Sequence, residues 1–496
     1  MSPTNDTLTS RMGLTAATVL GALFAVAVSR LWALEDRWFV VTCTAIAMLS
    51  FSLFFIGRLA DYLFVLLIAS FPLAGISKWL FVDWLGDEQK GNILYSGAIG
   101  IGPVDFILAG LALTWLWDVF VLRTQPLPRL RPLDGMVAMI VVSYLVSLPG
   151  APEPVLGLFS LTFLLKHIFV YFYLAHHVDE KRLNWVIIGI LVAIVLEALL
   201  GTLQSQFGIL EGFARDKGAG DSERREQYEV PGIETLTRAE GTAYDSHALA
   251  LAFSMLLPAA AVMAFNPRWP ASGKMACVAA FMLGVAGLVL TFSRSGWISF
   301  ALSGAVLLFG IVLFRWRATR IVPLLFLLPL LALIAAPWAY NYIHERFTSA
   351  PNEIMTARFE QWEVAFEIWK NHPWFGYGVG NYMEAVRVYN FDGALELPVH
   401  NVALWIAAES GLFGVIAFFG FIFALEVRLW RIADDPGDPN SLAAAAFFTA
   451  VLAYVLDGLT NPLFREPLVH MIFWMVAGLS GALVAARERA QSAPRE

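Results

Sequence analysis

Long apolar stretches alternate with short polar connections along almost the whole chain. Stretches of about 20 apolar residues are long enough to cross the hydrocarbon core of a bilayer as helices. The pattern therefore predicts an all-α fold, a polytopic integral membrane bundle of about 12–14 transmembrane helices. We place fourteen spans near residues 14–33, 38–57, 60–80, 103–122, 133–149, 155–177, 183–207, 246–265, 274–292, 295–314, 321–339, 403–427, 441–460 and 467–486.

Composition agrees with a membrane protein and excludes several chemistries. The 496 residues are 58% hydrophobic and only 15% charged, whereas soluble domains carry about 25% charged residues. Neither a Walker loop nor a Rossmann fingerprint occurs, which argues against nucleotide-driven chemistry. The two cysteines, Cys43 and Cys277, lie in apolar stretches and offer no disulfide framework or CxxC metal site.

The cations are distributed unequally between the two sets of connections. With an even number of spans, 17 of the 33 lysines and arginines fall on one side. The short loops of the other side carry only Arg37, Lys78, Lys90 and Arg465. This is the positive-inside bias, and it predicts that both termini are cytoplasmic and that the two long loops lie on the outer side of the membrane.

Two long loops, 208–245 and 339–402, hold the net negative charge of the chain. They contain 17 acidic and 9 basic residues, while the rest of the chain is nearly neutral. That balance argues against a nucleic-acid partner, and long loops outside a bundle often carry function. The predicted organisation is 1–207 and 246–338 as membrane helices, 208–245 and 339–402 as extracytoplasmic loops, and 403–496 as C-terminal membrane helices.

The second loop predicts a surface helix followed by a glycine-rich turn. Residues 354–370 place Arg358, Trp362, Phe366 and Trp369 at helical spacing, which indicates a helix lying in the membrane interface or packed on the bundle. The turn HPWFGYGVGNY follows, and its glycines allow backbone to approach a neighbour or a ligand closely.

The segment HNVALWIAAESGLFG places a histidine at the mouth of a span. On a continuous helix, His400 and Gly411 lie three turns apart on one face, so another helix would pack close beneath the histidine. A lone interfacial histidine is more often structural than catalytic, but this one is accompanied by several arginines.

Arg294, in TFSRSGW, lies at the outer end of a hairpin between two spans, where a guanidinium is costly unless paired. Snorkelling to lipid headgroups is the structural explanation. Since arginine binds phosphate in a bidentate manner, convergence of several outer arginines would indicate a phosphate-bearing lipid or sugar ligand. The other outer arginines considered are Arg238, Arg358, Arg387 and Arg465.

Several other polar residues have a structural interpretation beside a functional one. Lys166 and Glu197 lie in consecutive spans at comparable depth and predict a buried ion pair. Asp245 and His247 begin a span, where they would contact acceptor sugars, although a helix cap is at least as natural for Asp245. His372 is interpreted as part of its local turn.

Three of these segments, Thr291–Trp297, Arg358–Tyr382 and His400–Gly414, resemble the signature blocks of the O-antigen ligase and polymerase superfamily. RAEGTAYDSHALA, from Arg238 to Ala250, resembles it more loosely. The resemblance implies a metal-independent glycosyltransferase without a cofactor, acting in surface polysaccharide biosynthesis. Its active site would face the periplasm, at the inner membrane of a bacterium. Its donor would be a glycan on undecaprenyl pyrophosphate, and its acceptor a hydroxyl of a glycolipid or glycan.

On that resemblance, we expect three catalytic residues. His400 orients or deprotonates the acceptor hydroxyl, while Arg294 and Arg358 stabilise charge on the departing pyrophosphate. Expected substrate contacts come from Asn401, Arg238, Asp245, His247, Arg387 and Arg465.

Two other functions remain open at this stage. A polymerase differs from a ligase only in its acceptor; the span count favours the polymerase slightly and the motif spacing the ligase. A transporter would carry ionisable groups along a midplane cavity and an inverted repeat. The midplane offers little beyond Lys166 and Glu197, and the sequence shows no repeat.

Overall fold

The computed structural model describes residues 59–76, 78–80, 99–210, 227–230, 233–243, 245–313, 352–389 and 398–492. The predicted spans near 14–33, 38–57 and 321–339 lie outside these residues. The chain divides into Met1–Tyr62 and the unit Leu63–Glu496, and everything below concerns the second unit except for the first residues of one helix.

The described residues form thirteen α-helices and two short antiparallel hairpins. The helices are α1 (Leu59–Ser70), α2 (Pro103–Leu116), α3 (Pro132–Ser147), α4 (Pro154–His177), α5 (Glu180–Phe207), α6 (Ser246–Met263), α7 (Ala271–Leu290), α8 (Arg294–Ala305), α9 (Asn352–Asn371), α10 (Tyr382–Tyr389), α11 (Val402–Ala433), α12 (Ser441–Gly458) and α13 (Pro467–Ser492). The hairpins pair β1 (Lys78–Leu80) with β2 (Ile99–Ile101) and β3 (Gln227–Val230) with β4 (Ile233–Thr237).

Within these described ranges, nine helical segments are long and apolar enough to cross a membrane. The predicted fold class is therefore confirmed: the protein is a polytopic, multi-pass helical membrane protein. The span expected at 60–80 is wrong in its second half, because α1 ends at Ser70 and a 3₁₀ turn containing Pro72 follows it. The span expected at 295–314 begins as α8 and continues as a π-helix over Val306–Leu313.

Helix α13 forms the centre of the bundle. Every residue from Pro467 to Ala485 is buried, and α4 packs along it most extensively. Small residues make this approach possible: a Cβ atom at Gly478 would lie 2.7 Å from the carbonyl oxygen of Tyr171. Close backbone contact of this kind is how helices associate where the lipid supplies no hydrophobic driving force.

Hydrogen bonds between helix termini define two ends of the bundle. At the basic end, Arg131 donates to the carbonyl of Ala175 at 2.8 Å, and Arg487 donates to that of Arg431 at 2.6 Å. At the opposite end, called the site end below, Asn401 donates to the carbonyl of Leu459 at 3.2 Å. The predicted site residues of 238–247, 294 and 400–401 all lie at this second end.

Helix α11 is broken at Gly411, where φ is +65° and ψ is −166°. The expectation of a continuous helix from the histidine to this glycine is therefore wrong. What packs beside the break is the glycine-rich turn after α9, not another helix. A Cβ atom at Gly411 would lie 2.3 Å from the carbonyl of Trp374, and one at Gly376 would lie 2.2 Å from the carbonyl carbon of Glu409.

The backbone groups released by the break are satisfied by that turn. Tyr377 and Gly378 donate to the carbonyls of Ala408 and Glu409, at 2.8 and 3.0 Å. In return, the amides of Leu412 and Phe413 donate to the carbonyls of residues 373 and 374, at 2.8 and 3.2 Å. Non-helical backbone inside a membrane protein is tolerated where protein groups replace the lost helical bonds.

We predict that Gly411→Ala destabilises the protein by at least about 2 kcal/mol, because alanine cannot adopt this conformation cheaply and its methyl group meets backbone. Gly420→Ala, in the same helix, is the matched control, since its nearest neighbour would be the Met136 methyl at 3.9 Å. Thermal unfolding of both variants in detergent measures the difference. Equal midpoints would show that the break is not required.

Candidate active site

The interfacial helix α9 brings two polar side chains against the mouth of α11. Its buried face is formed by Gln361, Ala365 and Ile368, whereas Phe359 and Phe366 are more than half exposed. Of the predicted aromatic stripe, Phe366 points away from the bundle, whereas Trp362 is partly buried and packs against the core. Arg358 lies one turn before Gln361 and is partly buried on the same side.

Gln361 holds His400 through two hydrogen bonds to a single oxygen. Its Oε1 accepts from His400 Nδ1 at 2.8 Å and from the His400 backbone amide at 3.3 Å. An amide oxygen only accepts, so the imidazole proton lies on Nδ1. The other ring nitrogen, Nε2, is left with its lone pair and can take a proton from a substrate hydroxyl.

Charge and burial both keep His400 neutral. Burial lowers the pKa of His400, and the nearby Arg358 guanidinium lowers it further, to about 4. Burial also lowers the pKa of Arg358, together with the positive charge of Arg294, while the carboxylate of Asp457 acts in the opposite direction. Electrostatic interactions thus link Arg358 with His400, Arg294 and Asp457, which come from separate segments of the chain.

A row of hydrogen-bonded polar side chains continues from this cluster. Asn461 donates to both oxygens of Asp457 at 3.0 Å and to Ser295 Oγ at 2.6 Å. Ser295 Oγ lies 3.2 Å from Ser293 Oγ. Asp457 and Asn461 are almost fully buried, so the row extends from the cluster into the bundle.

The row continues to the second predicted histidine. His247 Nδ1 lies 2.9 Å from Ser293 Oγ, and Arg238 Nη2 lies 3.4 Å from His247 Nε2. Arg238 also donates through Nε to the carbonyl of Thr291 at 2.9 Å. The structure thus brings Arg238 and His247 beside the segment that carries Arg294.

Glu197 and Gln204 of α5 position the loop that presents Arg238. Glu197 accepts from the backbone amide of Thr242 at 2.9 Å and from its hydroxyl, and Gln204 Oε1 accepts from the amides of Glu240 and Gly241 at 3.0 and 2.6 Å. The predicted Lys166–Glu197 pair is therefore wrong, because the carboxylate serves this loop.

Lys166 has a different partner. It pairs with Asp105 at 3.0 Å, since α2 rather than α5 presents a carboxylate at its depth.

The remaining predicted substrate residues have structural partners. Asn401 caps α11 by accepting from the amide of Leu404 at 3.0 Å, and Asp245 caps α6 by accepting from that of Ala248 at 2.8 Å. Arg387 pairs with Glu384 at 2.9 Å on the surface helix α10.

Arg465 is buried within the protein, only 5% exposed, where it binds both oxygens of Glu409 and lies over the Trp405 ring. We therefore leave Arg465 out of the proposed ligand site.

Comparison with known proteins identifies part of the chain. Residues 279–419 match the O-antigen ligase family. The chain carries an O-antigen ligase domain. The domain contains Arg294, Arg358 and His400 and confirms the superfamily resemblance. The match supports an O-antigen ligase- or polymerase-like function, that of a glycosyltransferase-like enzyme.

Two further comparisons add little to the ligase domain. No curated protein matches the chain. A solved structure described as "Structural coordination of polymerization and crosslinking by a peptidoglycan synthase complex" is similar at 20% identity and a TM-score of 0.40. It covers 73% of this chain and 98% of that chain. A TM-score of 0.40 does not establish a shared fold.

Sequence reasoning missed three residues near the ligase domain's histidine. Asp457 and Asn461 lie in DGLTNP, where a carboxylate at the end of an apolar span is a signal in itself. Gln361 gives no such signal, because a glutamine in a polar helix is unremarkable until its neighbour is known.

We predict that Arg465→Gln destabilises the protein by about 3–5 kcal/mol, because it leaves the Glu409 carboxylate buried without a cation. Adding Glu409→Gln should restore most of the folded protein. Arg387→Gln, which breaks a partly exposed pair, is the control and should cost less than about 1 kcal/mol. Size-exclusion chromatography and thermal unfolding in detergent measure the effect. A stable Arg465→Gln variant would return this guanidinium to the substrate-binding candidates.

Proposed function

We propose that the protein transfers a glycan from undecaprenyl pyrophosphate to an acceptor hydroxyl at the site end, as an O-antigen ligase. One observation carries the proposal: a histidine kept neutral by burial, with its Nδ1 held by Gln361, lies near Arg358 inside the matched domain, and Arg294 lies near that arginine. A base next to cations suits attack by a hydroxyl on a carbon that bears a phosphate leaving group.

The transfer proceeds in a single displacement. His400 Nε2 takes the proton of the acceptor hydroxyl while its oxygen forms a bond to the anomeric carbon of the donor. The bond from that carbon to the pyrophosphate oxygen breaks, and the electron pair leaves with the pyrophosphate. Arg294 and Arg358 bind the negative charge that develops there. Attack opposite the leaving group inverts the anomeric carbon.

The basic end supports a periplasmic position for the active site. Arg131, Arg431 and Arg487 lie at the end opposite His400, as the positive-inside bias requires of a cytoplasmic face. A lipid-linked donor then enters from the outer leaflet, and its glycan lies in the periplasm, where the acceptor is. A repeat-unit polymerase is the second candidate, since the same chemistry serves both acceptors.

In the native host, we expect His400→Ala at wild-type protein levels to stop transfer, because the variant lacks the proposed base for the acceptor hydroxyl. Polyprenyl-linked glycans are extracted and sized beside the finished surface polysaccharide. Accumulation of long lipid-linked chains identifies a ligase, and accumulation of single repeat units identifies a polymerase. An unchanged profile would contradict a catalytic role for His400.

A second prediction concerns the partner of the histidine. Gln361→Leu should reduce transfer by at least about tenfold at every pH. The variant lacks the amide oxygen that accepts the hydrogen bond from His400 Nδ1, so neither the position of the ring proton nor the orientation of the ring is fixed. Gln361→Glu keeps the acceptor and should keep activity near neutral pH. Its carboxylate stabilises the protonated imidazole, so the acid limb of the pH–rate profile should move upward from about pH 4.

The measurement is transfer in host membranes between pH 4 and 8. Glu367→Leu, on the exposed side of the same helix, is the control and should leave the profile unchanged. Coinciding acid limbs for wild type and Gln361→Glu would show that this contact does not govern the histidine.

A further inference from the structure

A cavity lies at the basic end, far from the ligase site. It has a volume of about 700 Å³ and opens between the last turns of α11 and α13. Its lining includes Phe423, Arg428 and Arg431 from α11, and Arg487 and Glu488 from α13. Cavities of several hundred cubic ångströms are large enough for a small-molecule ligand or a lipid headgroup.

The lining changes from apolar to charged along the helix axis. Phe423, Val427 and Arg431 are spaced four residues apart and form one stripe, which rises about 12 Å from the first to the last at 1.5 Å per residue. Phe423 is 71% exposed, on the membrane-spanning part of the helix. The Phe423 ring lies toward the membrane interior, and the guanidiniums of Arg428 and Arg431 lie toward the end of the helix. This is the order of acyl chain and headgroup in a phospholipid.

The charges of the cavity are mixed. Arg428 donates through Nη1 to the carbonyl of Ala424 at 3.0 Å, which fixes its guanidinium while leaving other N–H groups for a ligand. Arg487 is engaged by the protein, through the Arg431 carbonyl and Asp438. Asp434 and Glu488 add two carboxylates to the same lining. Arginines beside carboxylates suit a zwitterion better than a doubly charged anion.

We propose that this cavity binds an aminophospholipid, with the lipid phosphate on Arg428 and Arg431 and the ammonium group beside Glu488. One acyl chain lies along Phe423. Basic pockets between membrane helices near the surface are known to recognise lipid headgroups, and guanidinium binds phosphate in a bidentate manner. The site is separate from the transfer reaction and does not depend on the proposed function.

The test uses the full-length protein in nanodiscs of phosphatidylcholine that contain a minority of phosphatidylethanolamine or phosphatidylglycerol. Lipids retained per protein are counted by native mass spectrometry. We expect phosphatidylethanolamine to be retained about tenfold over phosphatidylcholine, and Arg428→Gln/Arg431→Gln to remove that preference. Arg268→Gln/Lys274→Gln removes equal charge outside this lining and should retain the wild-type preference.

Further variants separate the parts of the headgroup. Glu488→Gln should lose selection for the amine while phosphate-dependent retention persists. Should the double arginine variant fail to remain monodisperse, Arg428→Lys/Arg431→Lys keeps both charges and removes the bidentate fork, with an expected loss of about threefold.

Three outcomes would overturn the proposal. The first is equal retention of phosphatidylethanolamine by the double arginine variant and its control. The second is stronger retention of phosphatidylglycerol than of phosphatidylethanolamine by the wild type. The third is displacement of the lipid by chain-free glycerophosphoethanolamine at equal concentration, which would assign the cavity to a soluble phosphate compound.

Discussion

The pairing of the glycine-rich turn with the break in α11 holds the two halves of the active site together. His400 precedes α11, whereas Arg358 and Gln361 lie on α9, and four backbone hydrogen bonds join these segments close to Gly411. Each bond satisfies a group that a broken helix would otherwise leave unpaired in an apolar environment. The break removes helical hydrogen bonds, and the bonds that replace them fix the interfacial helix α9 against the bundle.

The arginines near the site differ in whether a buried carboxylate neutralises their charge. Arg465 has its carboxylate partner, Glu409, inside the protein. Arg294 and Arg358 instead lie close to each other, and the buried Asp457 of α12 acts on Arg358 without forming an ion pair of the Arg465–Glu409 kind. Two neighbouring guanidiniums offer positive charge to an anion, and a preorganised cation pair costs little reorganisation during charge transfer.

How far the sequence predicts this structure depends on the range of each interaction. The length and spacing of the apolar stretches predict the spans, and the sequence motifs predict the cluster of Arg294, Arg358 and His400, because both kinds of signal are local. The break at Gly411 was missed, since glycine within an apolar helix is equally consistent with close helix packing. Glu197 and Lys166 have matching depth in the sequence, but their partners, Thr242 and Asp105, depend on loop and helix placement that spacing does not encode.

The low pKa of His400 has a consequence for the order of the proposed reaction. In the free enzyme, burial and Arg358 keep the imidazole neutral, but a base with a pKa of about 4 takes a proton only weakly. A pyrophosphate bound to Arg294 and Arg358 brings negative charge beside the same ring and offsets the cation that depresses its basicity. In the proposed reaction, His400 therefore becomes a stronger base once the donor is in place, so binding of the donor precedes activation of the acceptor hydroxyl.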